Sequence, residues 1–490
     1  MSDMREVSAL LLLLILLAGP GSAGAEEASD EAPGEAPKAA REGEESERPT
    51  LLEHRTPMGR RSPWSLSIPK LPIEVDASEG LLTDSPEQAT RLRLLLNFDL
   101  RVHDSRAARD SGLRLDRARL GFDGFLHWLS WRLIGDLRGT DTNDALHEAW
   151  VSAQAPWHDE RLLRVTAGVI AVTPGMEASF PEATLPFADY GMPAFLNTRR
   201  GPGVRVDGEL LDGLLSWDVA ALFGEATDLA GERYAGRGLM AKLVTFPFRQ
   251  VAAALDIGGW RIPLLSGLHF SAALGFVEDV RRDIEVSNSL RERLYTTPRL
   301  EADQERFRHL GYGLDLGPIR IVHEFTRGTL LGLKVRDAPP GGNQERLTGS
   351  SVRRIDLEQE LHGWSIGLSI NLTGETYDSR PFRQRYAAYA PVKRGIDGSG
   401  EDGERGPGRI EVAFRYANSD IARELNDNGV TTERISAQEF RTFDAALNWS
   451  PLRSVRLTLQ VTRTLADGEP QALGGQGRAT AGLVRLQISY

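Results

Sequence analysis

From Arg91 onward the sequence alternates apolar and polar residues one for one, in runs separated by clusters of glycine, proline and charge. A period of two is the mark of a β-strand whose two faces meet different surroundings. In the first run Leu92, Leu94, Leu96, Phe98, Leu100 and Val102 share one face, while Arg91, Arg93, Asn97, Asp99, Arg101 and His103 share the other. The pattern recurs with Leu129, Trp131, Leu133 and Leu137 against Ser130, Arg132, Asp136 and Arg138, and with Val204 and Val206 against Arg205 and Asp207. Later, Trp364, Ile366, Leu368, Ile370 and Leu372 alternate with Ser365, Gly367, Ser369 and Asn371, and Ile410, Val412, Phe414 and Tyr416 with Arg409, Glu411 and Arg415. Near the end Val455, Leu457, Leu459 and Val461 alternate with Arg456, Thr458, Gln460 and Thr462.

Soluble antiparallel sheets alternate too, so the period alone does not settle the surroundings. These runs are about ten residues long, the length a tilted strand needs to cross a bilayer, whereas soluble strands average about five or six. Trp128, Trp150, Trp364, Trp449 and Tyr490 stand at run ends, where the interfacial girdles of a membrane barrel lie. Asp212-Gly213 and Gly317-Pro318 read as tight turns, while 173–201, 277–306, 335–350 and 375–407 read as long loops. Short turns at one end and long loops at the other are the barrel arrangement. The expected fold is therefore all-β: a transmembrane antiparallel β-barrel over 91–490 with about 16 strands, 18 being possible. At that size the interior holds water, whereas about 8 strands would be filled by side chains. The charged face is then expected to line water and the apolar face to meet outer-membrane lipid. The closing residues, Val484 to Tyr490, alternate as a last strand with a terminal aromatic.

The first ninety residues read differently. Ala9 to Ala18 form the one long apolar run, and Ala23-Gly24-Ala25 follows as a small-x-small cleavage pattern, so 1–25 is expected to be a secretory signal peptide. The run is too short for a spanning helix, which needs about twenty residues. Residues 26–50 carry nine acids against Lys38, Arg41 and Arg48 without periodic apolar positions, and read as a disordered acidic leader. Residues 51–90, broken by Pro57, Pro63, Pro69 and Pro72, read as a periplasmic or plug-like extension.

Composition narrows the chemistry. The chain has no cysteine, so its stability in an oxidising compartment comes from a hydrogen-bonded sheet and not from disulfides. A net charge of −11 without basic tracts argues against nucleic-acid binding. Of 58 lysines and arginines only five are lysines, at 38, 70, 242, 334 and 393. Arginine is a fixed cation with a planar fork of donors, suited to anions. The arginines on the charged face outnumber the acids assigned to it, so a preference for anions is expected. A bland role stands beside this: pairing with Asp99, Asp123, Asp136, Asp207 or Glu411 across strands, which braces the wall. His103, His127, His147 and His158 form no metal set; His147 and Glu148, as strand neighbours, point to opposite faces. A hydrolase would need a serine, a histidine and an orienting acid converging at one rim. No enzyme activity, cofactor or metal is expected. A structural or binding β-protein of the periplasm or cell surface, without channel activity, is the alternative.

Six segments, in order, resemble the successive strand motifs of the phosphate-selective porin O and P family. They are Arg117-Ala118-Arg119-Leu120-Gly121-Phe122; Gly317-Pro318 with Glu324-Phe325; Leu372-Thr373-Gly374-Glu375 after Gly363-Trp364; Arg415-Tyr416; Leu447-Asn448-Trp449-Ser450-Pro451; and Arg485-Leu486-Gln487. The resemblance covers roughly 91–490. It implies a 16-stranded, trimeric outer-membrane porin for passive diffusion of small hydrophilic solutes, with an arginine ladder in the lumen and an inward-folded loop that narrows it. Arg117, Arg119, Arg101, Arg132, Arg138, Arg205, Arg415, Arg456 and Arg485 are the expected pore-lining anion path, Arg117 standing where the family motif has a lumen-facing arginine. The candidate constriction loop, 173–201, carries Glu177, Glu182 and Asp189 with Arg199 and Arg200 as its cations, where the family's phosphate channels place lysines.

Overall fold

The computed structural model describes residues 66–489 apart from gaps at strand ends and in connections, the longest being 68–73, 104–110, 139–144, 155–162, 337–351, 381–386, 397–404, 421–438 and 468–476. The expected signal segment, the acidic leader, most of 51–90, and Tyr490 lie outside the described residues. Sixteen long strands follow one another: β1 (Gln88–His103), β2 (Gly112–Leu126), β3 (Leu129–Asp136), β4 (Leu146–Gln154), β5 (Arg164–Val172), β6 (Arg199–Leu210), β7 (Leu215–Asp228) and β8 (Arg233–Thr245). Then come β9 (Leu268–Arg282), β10 (Leu300–Leu316), β11 (Ile319–Leu331), β12 (Gln359–Asn371), β13 (Arg409–Asp420), β14 (Glu439–Leu452), β15 (Val455–Ala466) and β16 (Arg478–Ser489). Each pairs antiparallel with the next. β16 closes on β1, from Ala481–His103 to Ser489–Leu95, so the sheet is a closed barrel without an edge. Short strands add to the rim: Leu81–Asp84 against β1, and Leu333–Arg336 with Val352–Ile355 between β11 and β12.

The alternation read from the sequence becomes the two faces of this wall. Phe98, Leu100 and Val102 point outward and are exposed, while Asn97, Asp99 and Arg101 between them are buried in the lumen. In β15, Arg456, Thr458, Gln460 and Thr462 are buried inward while Leu459 and Val461 face out. An exposed apolar surface that encircles a barrel requires lipid around it. Its loop-side limit is visible where outward positions turn polar: Arg327 pairs with Glu360, and Arg441 with Glu439 at 2.9 Å. Just inside that limit the outward rings of Trp364, Tyr416 and Phe443 pack at a tilt across β12 to β14, with centroids 5.0 and 4.8 Å apart. Toward the other end Trp449 anchors its indole N–H on the Pro407 carbonyl at 2.8 Å.

One irregularity sets the lumen's chemistry. In β2 the register jumps from Arg117 opposite Asn97 to Leu115 opposite Phe98, leaving Asp116 as an extra residue. This bulge turns both Asp116 and Arg117 inward, which two neighbours on a regular strand cannot do.

The connections differ from expectation in three places. The 375–407 segment belongs to the β12–β13 connection, which lies at the same end as the tight turns at 211–214, 317–318 and 453–454, so that end also carries a long excursion. The turn at 317–318 closes in two residues because Gly317 takes φ +63°, a left-handed conformation that costs glycine little. The loop expected over 277–306 shrinks to 283–299, because β9 and β10 run on into it. Arg199 and Arg200 are not in the constriction loop; they begin β6.

Candidate functional site

The chain leaves the sheet at Val172 and does not rejoin it until Arg199. Pro174, Pro181, Pro186 and Pro193, four within twenty residues, contribute: each lacks the N–H that a ladder needs and so interrupts strand pairing. The segment turns into the lumen through two single turns, Glu177–Ser179 and Glu182–Thr184, and a short helix, α1 (Met192–Asn197). It seats Met176, Phe180, Leu185 and Tyr190 against Val244 and Phe246 at the end of β8.

Backbone polar groups taken out of water must find partners, and here the wall supplies them. Arg456 donates to the Leu185 carbonyl at 2.7 Å, Asn448 to Pro186 at 2.8 Å and Gln487 to Ala183 at 3.0 Å. Arg485 donates to the Ala188 carbonyl, and the Gln460 side chain accepts the Ala188 N–H at 2.7 Å. From the opposite wall Lys242 holds the Thr173 carbonyl at 2.9 Å and the Gly175 carbonyl at 3.2 Å, while Glu324 accepts the N–H groups of Met176 and Glu177 at 2.9 and 3.2 Å. The loop is thus strapped across the lumen from both sides.

Its acids also meet the wall. Arg117 binds Glu182 at 3.0 Å and Asp189 at 2.9 Å, and Arg119 binds Glu182 and, at 3.2 Å, Asp136. Arg415 binds Glu177 and, at 2.9 Å, Asp444. Burial pushes the Glu182 carboxyl up, but the guanidiniums of Arg117, Arg119 and Arg200 outweigh it and hold it at about 2. For Glu177 burial prevails over Arg415, and its carboxyl sits above the usual range.

The other expected ladder residues are placed as follows. Arg101 binds Asp99 at 2.7 Å and Asp116 at 3.0 Å, and Arg485 binds the same two acids at 2.6 and 2.8 Å. Arg132 bridges Asp123 and Glu148 at 3.2 Å each, and Arg205 reaches Asp218 at 3.3 Å. Arg138 donates to the Asp116 carbonyl. Arg200 meets His147 at 2.8 Å, and the side chain of Arg199 lies outside the described residues. Arg456 is held by neutral acceptors, the Leu185 carbonyl and the Gln487 amide. All but Arg199 therefore face the lumen or its rims, most of them paired with acids, while Arg138, Arg200 and Arg456 meet a carbonyl, an imidazole, and a carbonyl with an amide. The expected excess of arginine is not there: among the buried charged residues described, twelve are acids and nine arginines.

Three features escaped the sequence. A second loop, 283–299, also folds inward: Asn288 donates to Thr464 at 3.2 Å, the Leu290 carbonyl accepts from Arg101, and Leu290 packs with Ala188, Ala481 and Leu483. The loop-side half of the lumen holds an apolar cluster, with Leu294 and the α1 residues Met192 and Leu196 packed on inward Met240, Phe307 and Phe440. Gly363-Trp364-Ser365-Ile366-Gly367 is a Gly-x-Ser-x-Gly run that the sequence reading passed over; it lies inside β12 with no strand-to-helix turn and so is no nucleophile elbow. Among the described residues no cluster of His, Asp or Glu could hold a metal ion.

Two cavities flank the constriction loop. One of about 50 Å³ lies against β11 to β13, and one of about 10 Å³ against β4 to β6.

No family model matches the sequence, that of the phosphate-selective porins included, and no curated protein matches it. The barrel is similar to solved outer-membrane porins and channels. Among them are an anion-selective porin from Comamonas acidovorans (13% identity, 82% of this chain and 100% of that one, TM-score 0.44) and the DcaP channel of Acinetobacter baumannii (13%, 83% and 99%, 0.42). OprB of Pseudomonas putida is another (10%, 82% and 94%, 0.43). Likenesses at this level leave the chemistry of the lumen to be read from the chain itself.

Proposed function

We propose that the chain is a passive channel of a bacterial outer membrane, admitting small hydrophilic solutes through a lumen narrowed by two inward loops and leaning weakly toward anions. One observation carries the reading: the sixteen strands that present a continuous apolar surface outward hold ionised side chains and water-sized cavities inward. Such a wall separates lipid from a polar interior. The lean toward anions is supported by Arg456, a buried guanidinium whose hydrogen bonds go to neutral acceptors and which has Arg409, Arg485 and Arg117 around it against the one acid Glu411. Phosphate among those anions, and a homotrimer as the working assembly, are what the family resemblance adds. Single-channel recording of the reconstituted protein tests the reading: discrete ohmic conductance steps are expected.

A second reading has its own support. The apolar packing of Leu294, Met192 and Phe440 in the loop-side half suits a barrel that stays closed and serves as a surface or binding protein. Heat-modifiable, membrane-inserted protein that never conducts would favour it.

A further inference from the structure

On the outer face of β10 to β12 the register sets the surface row by row. At the upper limit of the apolar belt Leu310 stands opposite Phe325, and Phe325 opposite Trp364. Two residues further toward the loops, on the same face, Arg308 stands directly opposite Arg327, with Leu274 on its other side. Two further still comes Arg306, opposite Thr329, which in turn faces Glu360. Arg306 and Arg308 are exposed, as are Leu274 and Leu310 beside them.

Like charges directly opposite on neighbouring strands repel, and little on this surface offsets them. Arg327 pairs with Glu360, Arg306 donates through Nε to the Gln304 side-chain oxygen at 2.6 Å, and Arg308 meets no acid among the described residues. The other acids of this stretch face elsewhere: Asp420 lies 4.0 Å from His362, and Glu278 stands between Arg237 and Gln304. Three guanidiniums against one carboxylate thus stand just above an apolar surface, at the level where a barrel meets lipid headgroups. A guanidinium is tolerated at that level. An anion between Arg308 and Arg327 would turn their repulsion into charge-assisted hydrogen bonds from two planar forks. A soluble anion would use the guanidiniums alone, whereas an anion carried by a lipid would also lay its chains on Leu274, Leu310 and Phe325.

The loop end of an outer-membrane barrel faces outward, so this patch meets the outer leaflet, where the lipid is a phosphorylated glycolipid. Resting on the outer-membrane part of the reading above, and not on conduction, we propose that Arg306, Arg308 and Arg327 are a binding site for the sugar-linked phosphate of lipid A. The phosphate bridges the guanidiniums and the acyl chains follow the apolar rows below them. The lipid is then a bound part of the outer wall and not a permeating solute.

The test is native mass spectrometry of the full chain purified in detergent and incubated with diphosphoryl lipid A. Saturable retention is expected, with dephosphorylated lipid A and phosphatidylglycerol held more weakly. Arg306→Gln combined with Arg308→Gln strands no acid and should weaken retention about tenfold or more. Arg308→Gln alone serves if the double change loses its heat-modifiable fold. Arg453→Gln, in the tight turn at the other end, should leave retention unchanged. Absence of bound lipid A overturns the proposal, as does equal retention of either control lipid or unchanged retention in the folded Arg308 variants. Release of the lipid by inorganic phosphate would mark a site for the free ion and overturns it too. A barrel that conducts without retaining lipid A fails this proposal alone, whereas one that retains it and never conducts fails the channel reading and leaves the site.

Discussion

Arg485 and Asp99 stand directly opposite each other on the last and first strands of the barrel, and the guanidinium grips both carboxylate oxygens, at 2.6 Å through Nε and 2.8 Å through Nη2. The pair therefore sits on the seam that closes the sheet, and neither side chain is more than 2% exposed. Removing one member leaves a buried charge uncompensated, a loss of about 3–5 kcal/mol where it has been measured in proteins. Asp99→Asn should lower the temperature at which the folded band converts to the unfolded one in semi-native electrophoresis. Asp99→Asn combined with Arg485→Gln should lose less than the two single changes added together. Simple additivity would show that the pair is not coupled across the seam.

The facing of β12 makes a second prediction. Leu368 is the middle of five outward apolar positions from Trp364 to Leu372, while Ser369 beside it is buried inward. Leu368→Arg should destabilise insertion by about 2–4 kcal/mol, the loss for a cation on the lipid face near the midplane. Ser369→Arg should insert normally, since its side chain points into the polar lumen and not at lipid. Equal damage from both, measured as folded protein in outer-membrane fractions, would refute this facing.

That facing was legible because a period of two leaves one choice: once Phe98, Leu100 and Val102 face lipid, Asp99 and Arg101 must face the lumen. The partners of those lumen residues were not legible. Arg485 finds the Ala188 carbonyl nearly three hundred residues away, and no local pattern encodes such a contact. Asp116 breaks the period, and a bulge leaves no mark in a sequence already rich in charge. The apolar plug did leave a trace: Phe307 stands between Glu305 and His309 on an otherwise polar face, and Phe440 precedes Thr442 and Asp444 on another. Those interruptions mark where the inward loops pack. The family motifs were carried by strands, so they said nothing of the second loop.

Glu182 provides a pH test. Its carboxyl lies at about 2 in the folded protein, below its usual 4.5. A carboxylate whose folded value is depressed stabilises above the usual value, and that stabilisation is lost as pH falls through the folded one. The clamp of Glu182 on Arg117 and Arg119 should therefore be intact near neutrality and fail between about pH 4.5 and 2. Glu177, whose carboxyl is raised by burial, takes up a proton before Glu182 does, and this loosens its own pairing with Arg415. Glu182→Gln should be less heat-stable than the parent near pH 7, with the gap closing toward pH 2. A gap that stays constant would show that the ion pair contributes nothing.

Selectivity separates the two roles an arginine can have in this lumen. Arg415 is bound to Glu177 and Asp444, so replacing it with glutamine strands two carboxylates and should cost the fold as much as the current. Arg456 is held by a carbonyl and an amide, so Arg456→Gln keeps hydrogen bonding possible and removes one positive charge from the constriction. A fixed charge beside a narrow passage acts on every ion that crosses it. In a potassium chloride gradient the parent channel should show chloride permeating slightly better than potassium. Arg456→Gln should move the reversal potential toward the cation side with its heat-modifiable fold intact. Arg117→Gln should move it further, because it also exposes Glu182 and Asp189. A parent channel that already favours potassium would mean that the acids, twelve to nine among the buried charges described, govern the passage. Neutralising Glu182 or Asp189 would then be the change that brings chloride through.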